Sequence, residues 1–244
     1  MRNIKLTIEY EGTNYHGWQI QENAVTVQGM MIRAIKGLTG ENINLTGCSR
    51  TDVGVHAKGQ VANFMTNASI PPDRISYALN RLLPADIVVR KSEEVDCGFH
   101  ARFCSKGKTY RYLIYNSQFP SALLRNRACH VSHNLSLERM SEAASFIKGC
   151  HDFSAFRASG SDVKSSVRDV RSIELYREDD LIGMFISGDG FLYNMVRIIA
   201  GTLIEVGSGR FLPTDVKDIM ESRDRRRAGR TAPAHGLYLE EIFY

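Results

Sequence analysis

Apolar and polar side chains alternate at the start of the chain. Every second residue from Ile4 to Tyr10 is apolar, and polar residues lie between them. This period-two pattern is typical of a β-strand with one buried face. Apolar residues then recur at helical spacing from Val27 to Leu38, and Gly40 follows where a helix could end. The sequence therefore predicts a strand that ends near Tyr10 and a helix after it.

Four further elements are predicted before residue 105. They are a strand containing Leu45, a returning strand over 61–66, a helix that begins at Pro71-Pro72 and a strand at 87–89. The order β-α-β-β-α-β, with right-handed crossovers, is that of a split βαβ sheet.

A similar order is predicted after the Gly/Lys-rich joint at 105–108. Residues 109–115 form an alternating aromatic strand. Ser136 is the predicted N-cap of a helix and Gly149 its predicted end. Two strands are then expected on either side of the acidic residues 178–180.

The last predicted elements are a long helix from about Phe191 to Val206 and a strand over 237–244. We therefore expect an α/β (α+β) protein with two related halves and a central cleft between them. Each half is a ferredoxin-like or RRM-like split βαβ unit. The predicted halves are residues 1–105 and residues 106–244.

Composition places the chain among globular proteins. Of its 244 residues, 43% are hydrophobic and 24% are charged, so the chain can bury real cores and is not disordered. The length suits one large domain or two modest ones.

Arginines cluster between residues 221 and 230. The net charge of +4 suggests an anionic partner only weakly, because many enzymes carry a mild excess of base. The cluster is either a solvated basic loop or a surface for a phosphate backbone. It contains Arg223, Arg225, Arg226, Arg227 and Arg230 against Glu221 and Asp224.

Cysteine usage predicts a cytoplasmic protein. The five cysteines are odd in number and form no Cys-x-x-Cys pair, and neither a signal peptide nor a long apolar span is visible. These features favour free thiols in a reducing compartment and no membrane segment. A zinc site built on Cys97, His100 and Cys104 lacks a fourth ligand at the usual spacing.

The most informative stretch for chemistry is 47–57. Asp52 lies between two glycines, with Arg50 two residues before it and His56 four residues after it. The stretch is too rich in Gly, Ser and Thr for a helix interior. From the residues alone, it is either an Asx-turn in which Gly54 supplies a positive φ, or a loop that presents a reactive carboxylate.

A second anomaly lies in the last predicted helix, where Arg197 is surrounded by apolar residues. A buried guanidinium needs a counter-charge or strong acceptors. The alternative is that the side chain reaches the solvent along the helix surface. Asn194 and Gly201 lie on roughly the same side of the helix.

The run Arg-Thr-Asp-Val-Gly-Val-His-Ala at residues 50–57 resembles the active-site signature of the tRNA pseudouridine synthase A family. Eight adjacent positions of defined type make this a specific match. The resemblance implies the pseudouridine synthase fold. Further similarity lies in the loop with Tyr15, Trp18 and Gln19 and in the segments 106–112, 151–157 and 231–239.

The resemblance assigns roles to three residues. It implies that Asp52 is the covalent nucleophile, that Arg197 forms an ion pair with it, and that Tyr110 stacks on the uracil and helps to remove the proton from carbon 5. The ion pair would keep Asp52 ionised in a partly dry cleft, where desolvation alone raises a carboxyl pKa. Because a phenol with a pKa of about 10 is a poor base, stacking is the favoured role of Tyr110.

The implied reaction is the isomerisation of uridine to pseudouridine at positions 38, 39 and 40, in the anticodon stem-loop of tRNA, without a cofactor or a metal. The target base must be flipped out of its stack. The resemblance also implies a homodimer whose subunits share one tRNA. The residues predicted to bind this substrate are Tyr110, Arg50, His56, Lys108, Arg111, Arg225, Arg226 and Arg227.

Two functions from other classes remain open at this point. One is an RNA-binding module that uses the same basic and aromatic residues without catalysis. The other is a metal-dependent phosphohydrolase built on Asp52, His56, His151 and Asp152, although companion ligands at suitable spacing are not evident.

Overall fold

The computed structural model describes residues 1–160, 163 and 165–244. The chain divides into two compact units. Unit 1 contains Met1–Lys106 together with Tyr238–Tyr244, and unit 2 contains Gly107–Leu237. The sequence-based division had placed the final residues with the second half. They belong to unit 1 because they form a strand that pairs with a strand of that unit.

Unit 1 has the strand order of a split βαβ sheet. Strand β1 pairs antiparallel with both β3 and β4, and the short β2 pairs antiparallel with β3. The last strand, β10, lies parallel to β3. The predicted β-α-β-β-α-β order is therefore confirmed. The elements of unit 1 are β1 (Arg2–Tyr10), α1 (Val27–Thr39), β2 (Thr46–Gly47), β3 (His56–Thr66), α2 (Pro72–Leu79), β4 (Ile87–Val95) and β10 (Leu237–Phe243).

The first strand and helix form for the reasons that their sequence indicates. Ile4, Leu6 and Ile8 of β1 are fully buried, and burial of each such side chain stabilises the fold by about 1.5–3 kcal/mol. Helix α1 is capped by Thr26, whose hydroxyl accepts a hydrogen bond from the Gly29 N–H. Gly40 ends this helix in the left-handed conformation, with φ 73°, which glycine adopts without steric cost.

Unit 2 repeats the β-α-β-β-α part of this order with additions. Strand β9 lies between β5 and β8, as β3 lies between β1 and β2, and all these pairs are antiparallel. Strand β7 extends the sheet beyond β8, and β6 pairs parallel with β5. The elements of unit 2 are β5 (Gly107–Asn116), β6 (Cys129–Val131), α3 (Leu137–Ser145), β7 (Gly149–Asp152), β8 (Val167–Glu178), β9 (Leu181–Gly188), α4 (Met195–Gly207) and α5 (Asp215–Ser222).

Two predicted boundaries in unit 2 are wrong. Helix α3 begins after Ser136, as predicted, with the Ser136 hydroxyl accepting from the Arg139 N–H, but it ends at Ser145, and Gly149 begins β7 instead. Helix α4 begins at Met195 rather than near Phe191. Its start is set by Asn194, which has φ 59° and therefore cannot continue a right-handed helix.

Candidate active site

Asp52 lies in a tight turn between β2 and β3. The Val55 N–H donates to the Asp52 carbonyl at 3.1 Å, and Gly54 takes the expected positive φ of 76°. The Asp52 side chain is partly exposed, while the flanking Thr51 and Val55 are buried. The turn therefore presents a carboxylate to the surroundings from a backbone that is anchored on both sides.

The first anchor is Gln60 of β3, which is fully buried. Its side-chain oxygen accepts from the Ser49 N–H at 3.2 Å, and its side-chain nitrogen donates to the Ser49 carbonyl at 2.7 Å. An amide side chain used in this way replaces a strand neighbour, because it satisfies both backbone groups of Ser49. It fixes the chain as it enters the Asp52 turn.

The second anchor is the segment after β1. The Trp18 N–H donates to the Thr51 carbonyl at 3.1 Å. Gly17, with φ 80°, allows this approach, since a Cβ there would lie 2.4 Å from the same carbonyl oxygen. The Trp18 ring is 1% exposed and lies directly over Gly47, at the entrance to the turn. The single tryptophan of the chain therefore supports the turn by packing.

Arg197 is the third residue of α4, and its guanidinium is held by two acceptors in unit 2. Nε donates to the Ala232 carbonyl at 2.7 Å, and one terminal nitrogen donates to Asn194 Oδ1 at 2.8 Å. The side chain is part-buried. These bonds fix the direction of the guanidinium, because an arginine carries its donors in a rigid plane. Asn194 could be anticipated from its helical spacing, whereas the role of Ala232 has no side-chain signal.

The residues before Ala232 lie against the small residues of α4. A Cβ on Gly201 would lie 1.8 Å from the Arg230 carbonyl oxygen. The Gly229 N–H donates to the Thr202 hydroxyl at 3.0 Å. Gly201 is therefore required for the close approach that brings the Ala232 carbonyl to Arg197.

Tyr110 lies on β5, opposite Ile186 of β9. Its ring is partly exposed and meets the Phe191 ring edge to face, with centroids 5.3 Å apart and planes at 89°. This geometry is a favourable aromatic contact, and it holds one edge of the tyrosine ring. Tyr110 therefore lies on a paired strand, with its ring in contact with Phe191.

The predicted phosphate-binding arginines at 225–227 have different environments. Arg225 donates to the Gly229 carbonyl at 2.9 Å and to the Thr231 hydroxyl at 3.0 Å, and burial lowers its pKa. Arg226 is exposed and forms an ion pair with Asp224 at 2.8 Å; this hydrogen-bonded guanidinium lowers the pKa of Asp224 to about 2. Arg227 is exposed. Arg225 thus closes the turn before Ala232, and its two neighbours face the solvent.

The other predicted substrate contacts also differ in accessibility. Arg50 is exposed, and Lys108 and Arg111 are half-buried on β5. The Arg111 guanidinium lies 5.9 Å from the centre of the Phe185 ring. His56 is only 2% exposed, which leaves little of its surface for a substrate.

The residues of the alternative metal site have other partners. Asp152 Oδ1 accepts from the Ser154 and Ser166 hydroxyls, and His151 Nε2 lies 2.9 Å from the Lys148 carbonyl. Within 1–160, 163 and 165–244, no group of three or more His, Cys, Asp or Glu residues is arranged to hold a metal ion. In the same part of the chain, no helix has the length and apolar character needed to cross a bilayer.

Comparison with known proteins identifies the class. A family model described as tRNA pseudouridine synthase matches residues 6–104 and 143–244, which include Asp52 and Arg197. With this match to parts of both units, the protein is a pseudouridine synthase, an enzyme of the isomerase class. The chain belongs to the tRNA pseudouridine synthase family, and the predicted resemblance is confirmed.

Two named relatives are similar along the whole chain. The tRNA pseudouridine synthase A of Acetivibrio thermocellus is 66% identical over 244 residues, and that of Ruminiclostridium cellulolyticum is 58% identical over 245 residues. Each alignment covers 100% of this chain and 100% of the relative. The similarity therefore includes both units.

Proposed function

We propose that this enzyme converts uridine to pseudouridine at positions 38, 39 and 40 of the anticodon stem-loop of tRNA, with Asp52 as the nucleophile. The observation that carries the proposal is the Asp52 turn itself. A partly exposed carboxylate stands on a backbone anchored by Gln60 and Trp18, within the run that resembles the family's active-site signature. Catalysis needs a nucleophile that is both accessible and held in place.

The reaction requires that one bond be broken and another formed. The Asp52 carboxylate bonds to carbon 6 of the base or to carbon 1′ of the ribose, and the bond between carbon 1′ and nitrogen 1 breaks. The uracil then turns and joins carbon 1′ through carbon 5. Carbon 5 releases its hydrogen as a proton and nitrogen 1 takes one up, so the isomerisation balances. The bond to Asp52 breaks as carbon 5 joins carbon 1′ if Asp52 had bonded to the ribose, or after that bond has formed if Asp52 had bonded to the base. No oxidant or reductant is needed.

Arg197 and Tyr110 complete the proposed site. Arg197 pairs with the Asp52 carboxylate and keeps it ionised, while Asn194 and the Ala232 carbonyl hold the guanidinium. Tyr110 stacks on the flipped uracil, and Phe191 supports its ring. Asp52 and Arg197 come from different units, so their pairing is itself part of the proposal.

Phosphate contacts offset the energy of flipping the base, which is a few kcal/mol. Arg50, Lys108, Arg111, Arg226 and Arg227 are the proposed contacts, since each retains at least partial exposure. We also propose a cytoplasmic homodimer that shares one tRNA. Resemblance to the family is the support for this last point, and sedimentation with and without tRNA tests it.

The decisive experiment uses tRNA labelled with tritium at carbon 5 of uridine. Formation of the new carbon bond must release the label into water. We expect release by the wild type and by Asp73→Asn, a control at an exposed carboxylate of the same unit. Asp52→Asn is expected to bind the tRNA without release. Transcripts with cytidine at positions 38, 39 and 40 should release no label.

Three other outcomes would contradict the proposal. Release by Asp52→Asn would exclude Asp52 as the nucleophile. Binding without release by the wild type would indicate an RNA-binding module, and phosphate release that a chelator abolishes would indicate a phosphohydrolase.

A further inference from the structure

Thr51, the residue before Asp52, is held through its side chain by Tyr10, the last residue of β1, and through its backbone by the segment after β1. The Tyr10 hydroxyl lies 2.7 Å from Thr51 Oγ1, and both side chains are buried. Together with the bond from the Trp18 N–H to the Thr51 carbonyl, this contact holds both the side chain and the backbone of Thr51. A hydroxyl pair away from water is costly to break, because the partner left behind loses its hydrogen bond.

His56 provides a second fixed point on the other side of Asp52. Its Nδ1 accepts a hydrogen bond from the Gly12 N–H at 3.0 Å. Because a backbone N–H can only donate, Nδ1 carries no proton in this arrangement and the imidazole is neutral. The ring also packs on Tyr238, with centroids 4.7 Å apart. His56 therefore ties the start of β3 to the segment after β1.

Gly12 makes this tie possible. A Cβ at residue 12 would lie 2.0 Å from the Val55 carbonyl oxygen, so only glycine allows the two segments to touch. The Gly54 N–H also donates to the Tyr15 carbonyl, at 3.4 Å. The Asp52 turn is thus bonded to the segment after β1 at residues 51, 54 and 56.

We propose that Tyr10 and His56 are positioning residues that set the place of the Asp52 carboxylate. Four residues separate the fixed points at 51 and 56, and they have little freedom to rearrange. A misplacement of about 1 Å can lower a rate about a hundred-fold, so this clamp acts on the catalytic step rather than on tRNA affinity. The inference rests on the proposed role of Asp52.

The test separates kcat from tRNA binding. Tyr10→Phe removes one hydroxyl and nothing else. Tyr244→Phe is the matched control, since it removes a hydroxyl bonded to the Ala101 carbonyl at 2.8 Å in the same unit. We expect Tyr10→Phe to lower kcat for tritium release about ten-fold with an unchanged Kd for tRNA, and Tyr244→Phe to leave both unchanged.

A double-mutant cycle tests the hydroxyl pair directly. Thr51→Val removes the partner oxygen at constant shape. If the two hydroxyls act through each other, the combination of Tyr10→Phe and Thr51→Val lowers kcat no further than either change alone. Ten-fold losses that multiply to a hundred-fold would contradict a shared function.

Two substitutions at His56, one that keeps a hydrogen-bond acceptor and one that does not, test the role of the bond to Gly12. His56→Asn keeps an acceptor close to the place of Nδ1, whereas His56→Leu removes it. We expect His56→Asn to keep kcat within about three-fold and His56→Leu to lose about ten-fold or more. Faster amide exchange over 48–56 in His56→Leu, with the same exchange elsewhere, would locate the loss at the turn.

The results distinguish this inference from the proposed function. Wild-type kcat in both Tyr10→Phe and His56→Leu, alongside an inactive Asp52→Asn, refutes the clamp alone. An active Asp52→Asn refutes the proposed function. Equal losses in His56→Asn and His56→Leu would show that the bond to Gly12 does not matter.

Discussion

Arg197 and Ala232 are joined by two reciprocal hydrogen bonds. Arg197 Nε donates to the Ala232 carbonyl at 2.7 Å, and the Ala232 N–H donates to the Arg197 carbonyl at 3.0 Å. The direction of the guanidinium is therefore set by backbone that follows the arginine-rich segment. Both bonds use the backbone of Ala232, so changing its side chain leaves the two bonding groups in place unless the new residue is proline. The side chains around this pair are therefore the better places to test it.

Asn194 is the first such place. Asn194→Gly keeps the left-handed backbone at φ 59° and removes the amide oxygen that Arg197 contacts. We expect kcat to fall about ten-fold, because the guanidinium of Arg197 loses one of the charge-assisted bonds that fix its direction. The free energy of unfolding should change little. Asn194→Ala adds the strain of a left-handed alanine, about 1 kcal/mol. Single-turnover tritium release and urea unfolding measure the two effects, and wild-type kcat in Asn194→Gly would disprove the positioning role.

Gly201 tests the close approach between α4 and residues 229–232. Gly201→Ala places a Cβ 1.8 Å from the Arg230 carbonyl oxygen, and the nearest atoms are backbone that cannot swing away. We expect a loss of about 3 kcal/mol in the free energy of unfolding. Gly37→Ala is the matched control in α1, where the nearest atom is 3.8 Å away. That change should stabilise the protein by about 0.5–1 kcal/mol, and an equal loss in both variants would contradict the steric argument.

Arg225 and Arg227 should give opposite results although they lie two residues apart. Arg225→Ala removes the bonds to Gly229 and Thr231, so it is expected to lower the free energy of unfolding by about 1–3 kcal/mol. Arg227→Ala should leave stability unchanged and weaken tRNA binding. The slope of log Kd against log salt should fall by about one unit for Arg227→Ala. A flat salt response in the wild type would count against phosphate binding here.

Asp152 gives a prediction on pH. The Ser154 hydroxyl first, and then the Ser166 hydroxyl, the Ser154 N–H and Arg223, lower the pKa of Asp152 below its ordinary value of 3.8. A carboxyl whose pKa is lower in the folded than in the unfolded protein stabilises the fold when it is ionised. This stabilisation is fully present above the pKa of the unfolded state, and it is lost as the pH falls through the pKa of the folded state. Asp152→Asn should therefore be less stable than the wild type at pH 7, and the difference should shrink below about pH 4. If the difference in free energy of unfolding between the two proteins did not change with pH, the ionised Asp152 carboxylate would not be the source of the stabilisation.

The sequence was sufficient where local pattern decides structure. The alternation up to Tyr10, the Ser136 cap and the left-handed glycine at residue 40 each depend on neighbours within a few positions. The start of α4 was missed because Asn194 adopts a conformation more usual for glycine. The environment of Arg225 was missed because an arginine inside a basic run has the same sequence signal whether it closes a turn or faces solvent.

In the candidate site, too, local features could be predicted from the sequence and contacts between distant residues could not. Asp52 and the positive φ at Gly54 could be read from one short run. The bond between Gly12 and His56 joins residues 44 positions apart, and that between Arg197 and Ala232 joins residues 35 apart. Such contacts follow from sheet register and close packing, which periodicity does not specify.

Strand β10 pairs with β3 at His56 and Ala57, directly after the Asp52 turn. This strand begins at Leu237, the last residue of unit 2. During synthesis, the ribosome must therefore release more than a hundred further residues before β3, the strand that follows the Asp52 turn, gains this neighbour. A nascent chain that stalls within unit 2 would carry the complete signature and still lack the edge against which His56 is packed.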